Sequence, residues 1–570
     1  MRRYLAMLFI LILMLACQLP LVAPVPTATL LPLPSATHTA QPPTLTPTAS
    51  PTPLPSETPP ATHTAEAPTP DFEVEYHPDG PLYTGDQVSV SVIAPVDMNL
   101  EGATLSITLE QSEPVTLGVT NFSQWGIAGR SQATMVWLWN TSGLAAGDYR
   151  LSYRIDPQGY TFTETVTLLP ENAIPAAQAA AQWAEVTTEC CVLHFITGTA
   201  AARDLPALTA MVDQQAEHAV QAMGIEFTEP ITITVMPRVL GHGGFASEEV
   251  YVSYLDRNYA ANSWEMVVHH EMIHILDRRL GGDMRPSILV EGLAVYLSGG
   301  HYKPEALLPR AAALLSESLD LFIPLTALAE DFYNSQHEIG YLEAGALVQY
   351  MVETYGWERF SSFYRDIHPA ASGSQVEALE AALQVHFDLS LAELEQAFID
   401  FLMIQADSEV WQEDVRLTVA YFDTLRRYQE ILDPSAYFKT AWLMDGPSMR
   451  ERGITGDLLR SPGEPANLAL EALFISASDA MVNSDRATTE MTLSVINQVL
   501  DEMEAGKAEP FSVHPLAADI LAIANTLQQN GYWLQSVDLS GDTASVLVTA
   551  DTMDLIELNL IHQSGYWQIN

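Results

Sequence analysis

The sequence predicts a multidomain chain of mixed architecture: a β-sandwich, then an α+β domain, a helical region and a small C-terminal α+β module. Three observations carry this. Between Asp71 and Pro170, apolar and polar residues alternate in short runs broken by Gly and Pro, the period of half-buried strands. From 171 to 405 a strand–helix–strand pattern gives way to stretches with helical apolar spacing. The segment 508–570 reads as a helix followed by strands. A chain of 570 residues is ample for several cores.

At the N-terminus, Arg2-Arg3 precedes an apolar run from Leu5 to Ala16, too short for an ordinary membrane span. Met14-Leu15-Ala16-Cys17 resembles a bacterial lipoprotein signal, which makes 1–17 a signal peptide and Cys17 the lipid-bearing residue that ties the chain to a membrane. Met at the first of these positions is unusual, so an uncleaved anchor or ordinary secretion stays open. Each alternative puts the bulk of the chain outside the cytoplasm. Residues 18–70, dominated by Pro, Thr, Ala and Ser, favour extended polyproline-like states and read as a stalk. The alternating runs of 71–170, among them Gln87 to Val92, Ala103 to Leu109 and Thr161 to Val166, suggest an immunoglobulin-like sandwich.

Next come a strand (Val192 to Ile196), a helix (about Leu205 to Met223) and a strand (Ile231 to Met236). Val250 to Tyr254 follows as an expected edge strand. Asn262-Ser263 offers an N-cap, and the run through Arg279 has no Gly or Pro. Within it, His270-Glu271-Met272-Ile273-His274 forms an H-E-x-x-H motif. Two histidines four apart lie one above the other on a helix face and can share one Zn²⁺, while Glu271 beside the first can take a proton from a metal-bound water. A shorter helix is signalled by Pro286 at its start and Gly299-Gly300 past its end. Glu291 sits inside it among Ile288, Leu289, Val290, Leu293 and Leu297, where a carboxylate is costly unless paired or metal-bound. His270, His274 and Glu291 make three protein ligands and one open position, the arrangement of a catalytic site for one zinc ion per chain.

H-E-x-x-H followed by Glu291-Gly292-Leu293-Ala294-Val295-Tyr296 resembles the gluzincin metallopeptidases, in particular the peptidase MA-like families of bacterial surface proteins. The likeness spans about Cys190 to Met403. It implies a gluzincin-type α+β domain over 171–405, with His270, His274 and Glu291 on zinc and Glu271 as general base and acid. It also makes Tyr341, in the helical stretch Gly340 to Tyr350, a candidate oxyanion donor, with His337 as another. In zinc peptidases of this type an edge strand pairs with the extended substrate, the role expected of Val250 to Tyr254. Two departures count against an aminopeptidase. Gly244-Phe245-Ala246-Ser247-Glu248-Glu249 does not match the G-x-M-E-N motif of those enzymes, and Val290 stands where they usually place Asn. An endopeptidase, or a peptidase with an unfamiliar substrate, fits better.

Helices continue through 406–507, and the end of the chain (Tyr532 to Leu539, Ala544 to Thr549, Leu555 to His562, closing on Tyr566 to Ile569) resembles the curved sheet of NTF2-like domains. A formal charge of −47, with lysine only at 303, 439 and 507, argues against nucleic acid as a partner. Cys190 and Cys191 are adjacent, and on a strand they would point to opposite faces, so no structural disulfide is expected. His269, His242 and His301 are expected off the metal. Asp277, one turn past His274, reads equally as a group orienting a ligand or as a solvated carboxylate. Together these features predict a cell-surface zinc metallopeptidase acting on a peptide or protein. The rival is an adhesin or scaffold whose peptidase-like fold only binds; a purely structural zinc site is disfavoured by the lack of a nearby fourth Cys or His.

Overall fold

The computed structural model describes residues 70–570 apart from 97, 126–129, 239–242, 302, 406–408, 437–444 and 551–552. The lipoprotein-like signal with Cys17, the Pro/Thr-rich stretch and His242 lie outside the described residues. The rest is a multidomain α+β architecture.

The first unit is two sheets around one core. One has the order Glu73–His77, Gln87–Ile93, Arg130–Asn140, Ser123–Trp125; the other Leu82–Tyr83, Tyr160–Leu169, Gly147–Asp156, Thr104–Glu110, Val115–Asn121. Alternation drives the packing: Leu105, Ile107 and Leu109 of one strand and Leu151, Tyr153 and Ile155 of its neighbour bury together, with Val88, Val90 and Val92 facing them from the other sheet.

The second unit is a five-stranded sheet backed by helices. Its order is Trp183–Thr187, Cys191–Ile196, Ile231–Met236, Val250–Ser253, Gly244–Ala246, parallel in the middle and antiparallel at both edges. One face packs on the helix Leu205–Met223 and on the motif helix Trp264–Leu280 through Leu193, Ile233, Val250, Val252, Val268 and Met272. The other face, with Ile196, Met236 and Tyr251, is covered by Trp137 of the first unit and by Met449 and Leu458. The expected edge, Val250–Ser253, is therefore an inner strand; the outer place belongs to Gly244–Ala246. A turn folds the chain back, and three residues suffice to form the edge, with Phe245 stacked on Tyr251.

Cys190 and Cys191 are joined by a disulfide, contrary to expectation. Cys190 lies in the bend between Trp183–Thr187 and Cys191–Ile196, not on the strand, so alternation of strand faces does not separate the two sulfurs.

The helices Ser287–Ser298, His337–Tyr355, Gln375–Phe387 and Leu391–Ile404 complete the core of the second unit. Four later helices, Glu409–Leu432, Pro465–Val482, Arg486–Glu504 and Pro515–Gln529, share a core with an antiparallel sheet of Trp533–Ser540, Thr543–Thr549, Ile556–Gln563 and Tyr566–Ile569. The closing Tyr566–Ile569 forms a fourth strand, paired to the third. Among the described residues, no helix is long and apolar enough to cross a membrane.

Candidate metal centre

The motif helix starts where its cap places it. Ser263 Oγ accepts from Met266 N–H at 3.4 Å, and the helix then runs from Trp264 to Leu280. Its inner face, Val268, Met272, Ile273 and Leu276, is fully buried, which fixes the rotation that brings His270 and His274 to one side. Glu291 comes from the helix Ser287–Ser298, which ends at Gly299 in the left-handed conformation. The neighbouring helix His337–Tyr355 presses against it at Gly292: a Cβ there would lie 2.5 Å from the carbonyl oxygen of Ala344. Glycine after the glutamate is thus what lets the two helices approach.

Donor atoms of His270, His274 and Glu291 all lie within 4.8 Å of one another. Glu291 Oε2 is 3.3 Å from Nε2 of each imidazole. Burial alone would push the Glu291 carboxyl up, but the imidazoles, His274 foremost, outweigh it and hold it well below the usual range. Burial likewise lowers the His270 imidazole. At His274 the Glu291 carboxylate overcomes burial and raises the imidazole to about 9. Two imidazoles and one carboxylate converging on a point, His270 and Glu291 buried and His274 half-buried, suit zinc: the set is that of catalytic sites with three protein ligands and an open position.

Glu271 is 5 % exposed, and burial pushes its carboxyl up to about 8. It faces the edge strand: a Cβ on Gly244 would stand 3.2 Å from Glu271 Oε1 and 2.6 Å from Val267 Cγ1. Ser253 N–H bonds to Gly243 O, and Ser247 N–H to Glu249 O. By antiparallel alternation, Gly244 and Ala246 then turn their backbone groups to the outer side. There Arg278, one turn beyond His274, donates to Ala246 O at 2.9 Å and also to Ser247 O, tying the end of the strand to the motif helix.

Tyr341, on the helix His337–Tyr355, has its ring 6.4 Å from that of His270. His301 stacks flat on Tyr341, with centroids 3.8 Å apart and planes 2° apart, and lies 5.5 Å from the His270 ring. His337 lies 4.4 Å from Tyr341. His301 is not among the clustered donors and borders them through this stack. His269 turns away, its Nδ1 2.9 Å from Gln215 Oε1. Asp277 is fully buried and receives a 2.7 Å bond from Arg285, so it is not a solvated carboxylate.

Sequence reading missed Tyr333, whose hydroxyl donates to Glu291 Oε1 at 2.7 Å. It sits in a short 3₁₀ turn, Phe332–Asn334, with no periodic pattern to mark it.

No protein-family model and no curated protein matches the chain. Among solved structures, an aminopeptidase N family protein from Idiomarina loihiensis aligns at 10 % identity and a TM-score of 0.22, covering 66 % of this chain and 77 % of that one. A metallopeptidase from Bacteroides thetaiotaomicron aligns at 9 % identity and a TM-score of 0.21, covering 86 % of this chain and 84 % of that one. Likenesses this low carry no argument about function. The donor set does: His270, His274 and Glu291, with Glu271 between the histidines, match the H-E-x-x-H plus downstream Glu motif of gluzincin zinc peptidases.

Proposed function

We propose that the chain is a zinc-dependent peptidase of the cell surface, held to a membrane by a lipid on Cys17 and raised from it by the stalk 18–70. The supporting observation is the convergence of His270, His274 and Glu291 beside Glu271 and an outer strand. His270, His274 and Glu291 would hold a zinc ion, which would supply a Lewis acid for the scissile carbonyl and for activation of a water. Glu271 takes a proton from the attacking water at its carboxylate and passes it to the leaving amine nitrogen. Tyr341, with His301 behind its ring, donates its phenolic proton toward the developing oxyanion. A peptide extended along Gly244–Ala246 uses the outward backbone groups of that strand, and the Arg278 contacts limit its reach at Ala246. Without the G-x-M-E-N carboxylate, internal cleavage is favoured over removal of N-terminal residues. The sandwich before the peptidase unit is read as an immunoglobulin-like spacer and the C-terminal sheet as NTF2-like, serving packing or recognition.

Glu271→Gln tests this reading. It should lower hydrolysis of a peptide pool by about 10²–10⁴-fold while zinc content and melting temperature hold. Equal rates in wild type and variant would overturn the mechanism. A wild type that binds zinc yet cleaves no peptide would leave a surface protein that only binds.

A further inference from the structure

We propose that Tyr333 is a positioning residue for the metal: by occupying Oε1 of Glu291 it makes that carboxylate offer the site a single oxygen, Oε2. The inference rests on the reading of His270, His274 and Glu291 as a zinc site. The two carboxylate oxygens are used differently. Oε2 lies 3.3 Å from both Nε2 atoms, whereas Oε1 accepts the Tyr333 hydroxyl at 2.7 Å. A hydroxyl donating to an ionised carboxylate makes a charge-assisted bond, roughly twice as strong as a neutral one.

Metal-bound imidazoles are ordinarily oriented through their second ring nitrogen. Here neither His270 Nδ1 nor His274 Nδ1 has a hydrogen-bond partner among the described residues. Outer support for the donor set therefore runs through the carboxylate, and Tyr333 provides it.

The turn that delivers the phenol is itself secured. Asn334 Nδ2 donates to Asp331 Oδ1 at 2.8 Å, and Ser335 Oγ to Phe332 O at 2.6 Å. Gln336 Oε1 accepts Ile339 N–H at 2.8 Å, which caps the helix carrying Tyr341. Phe332, 3 % exposed, packs edge-on to both Tyr333 and Tyr341. The segment 331–336, between the helices Leu325–Glu330 and His337–Tyr355, thus sets two phenols at once, one on the ligand and one beside it. With the hydroxyl removed, Oε1 is free to turn toward the metal, raise its coordination number and crowd the position that a water and substrate need.

The test uses the full-length chain stripped of metal by a chelator. Tyr333→Phe should weaken zinc binding, measured by competition with a chromophoric chelator, by about ten- to a hundred-fold. In the substrate-free cobalt(II) form, the visible absorption should lose intensity as coordination rises above four. In a Glu291→Ala background the same substitution should cost no further affinity, since the phenol acts through that carboxylate. An affinity within about two-fold of wild type with an unchanged cobalt spectrum would overturn the inference, as would an equal loss in the Glu291→Ala background. Should Tyr333→Phe fail to fold, Ser335→Ala loosens the turn and keeps the phenol: weaker zinc binding supports the proposal, and an unchanged affinity refutes it. If the wild type bound no zinc, the zinc reading itself would fall, and this inference with it.

Discussion

His270, Glu271 and Glu291 are buried and His274 nearly so, which sets four titratable groups where water solvates them poorly. Such a cluster is stable only if its charges compensate, and the Glu291 carboxylate set between two imidazoles does that. The phenol of Tyr341 belongs to the same neighbourhood, pinned by the flat stack with His301. If it meets the developing oxyanion, Tyr341→Phe lowers kcat by about 100-fold and leaves KM nearly unchanged. A steady-state comparison on one peptide decides the point, and an unaltered kcat removes Tyr341 from the chemistry. The metal-binding trio was legible in the sequence because helix geometry alone stacks residues i and i+4, and because a glutamate in an apolar helix demands a partner. Tyr333 was not, since a 3₁₀ turn of three residues leaves no period, and its meeting with Glu291 arises from folding over a separation of 42 residues.

At the scale of elements, the site is a matter of how closely a helix and a strand can run. Gly244–Ala246 passes directly over the motif helix, and no side chain fits at its first position. Gly244→Ala places a methyl 2.6 Å from Val267 Cγ1 and 3.2 Å from Glu271 Oε1, so the Val267 side chain or the strand itself must move aside. The expected cost is about 1–3 kcal/mol in urea unfolding, with a fall in hydrolysis from displacement of Glu271. Wild-type stability and rate would show that the strand yields freely. The two helices that carry the ligands were legible from their punctuation: Ser263 at one start, Pro286 at the other, Gly299 at an end. The edge was not. Val250–Ser253 has the stronger strand composition and so attracts the assignment, yet four buried residues in a row mark a strand covered on both sides, which is what an inner strand requires.

Across the whole molecule, arginines join the units. Arg460 binds Asp86 of the sandwich through two contacts of 2.5 and 2.9 Å, and Arg450 binds Glu249 next to the edge strand at 2.5 Å. Arg426 grips Glu338, in the first turn of the helix that bears Tyr341, through two 2.9 Å bonds. Much of the scarce positive charge in a chain of net charge −47 is thus spent internally. At the seam of the sandwich, Trp137 donates its indole N–H to Asp457, which is 1 % exposed. Burial pushes the Asp457 carboxyl up to about 7, against the lowering effect of Trp137, Arg460 and Arg238 and with Asp86 adding to the rise. A folded pKa above the unfolded one contributes stability that is full below about 4 and is lost as pH rises through about 7. Asp457→Asn should therefore gain on wild type between about pH 5 and 8, by about 3 kcal/mol at the upper end. Parallel stability profiles for the two proteins would exclude a titrating seam.

Everything proposed for the site depends on His270, His274 and Glu291 holding one zinc ion, and metal content decides that. Mass spectrometry of the purified full-length chain beside His270→Ala should find about one zinc per wild-type chain and a loss of it in the variant, with both folded. A well-folded wild type that takes up no zinc, even when zinc is supplied, would overturn the zinc site and the peptidase mechanism together.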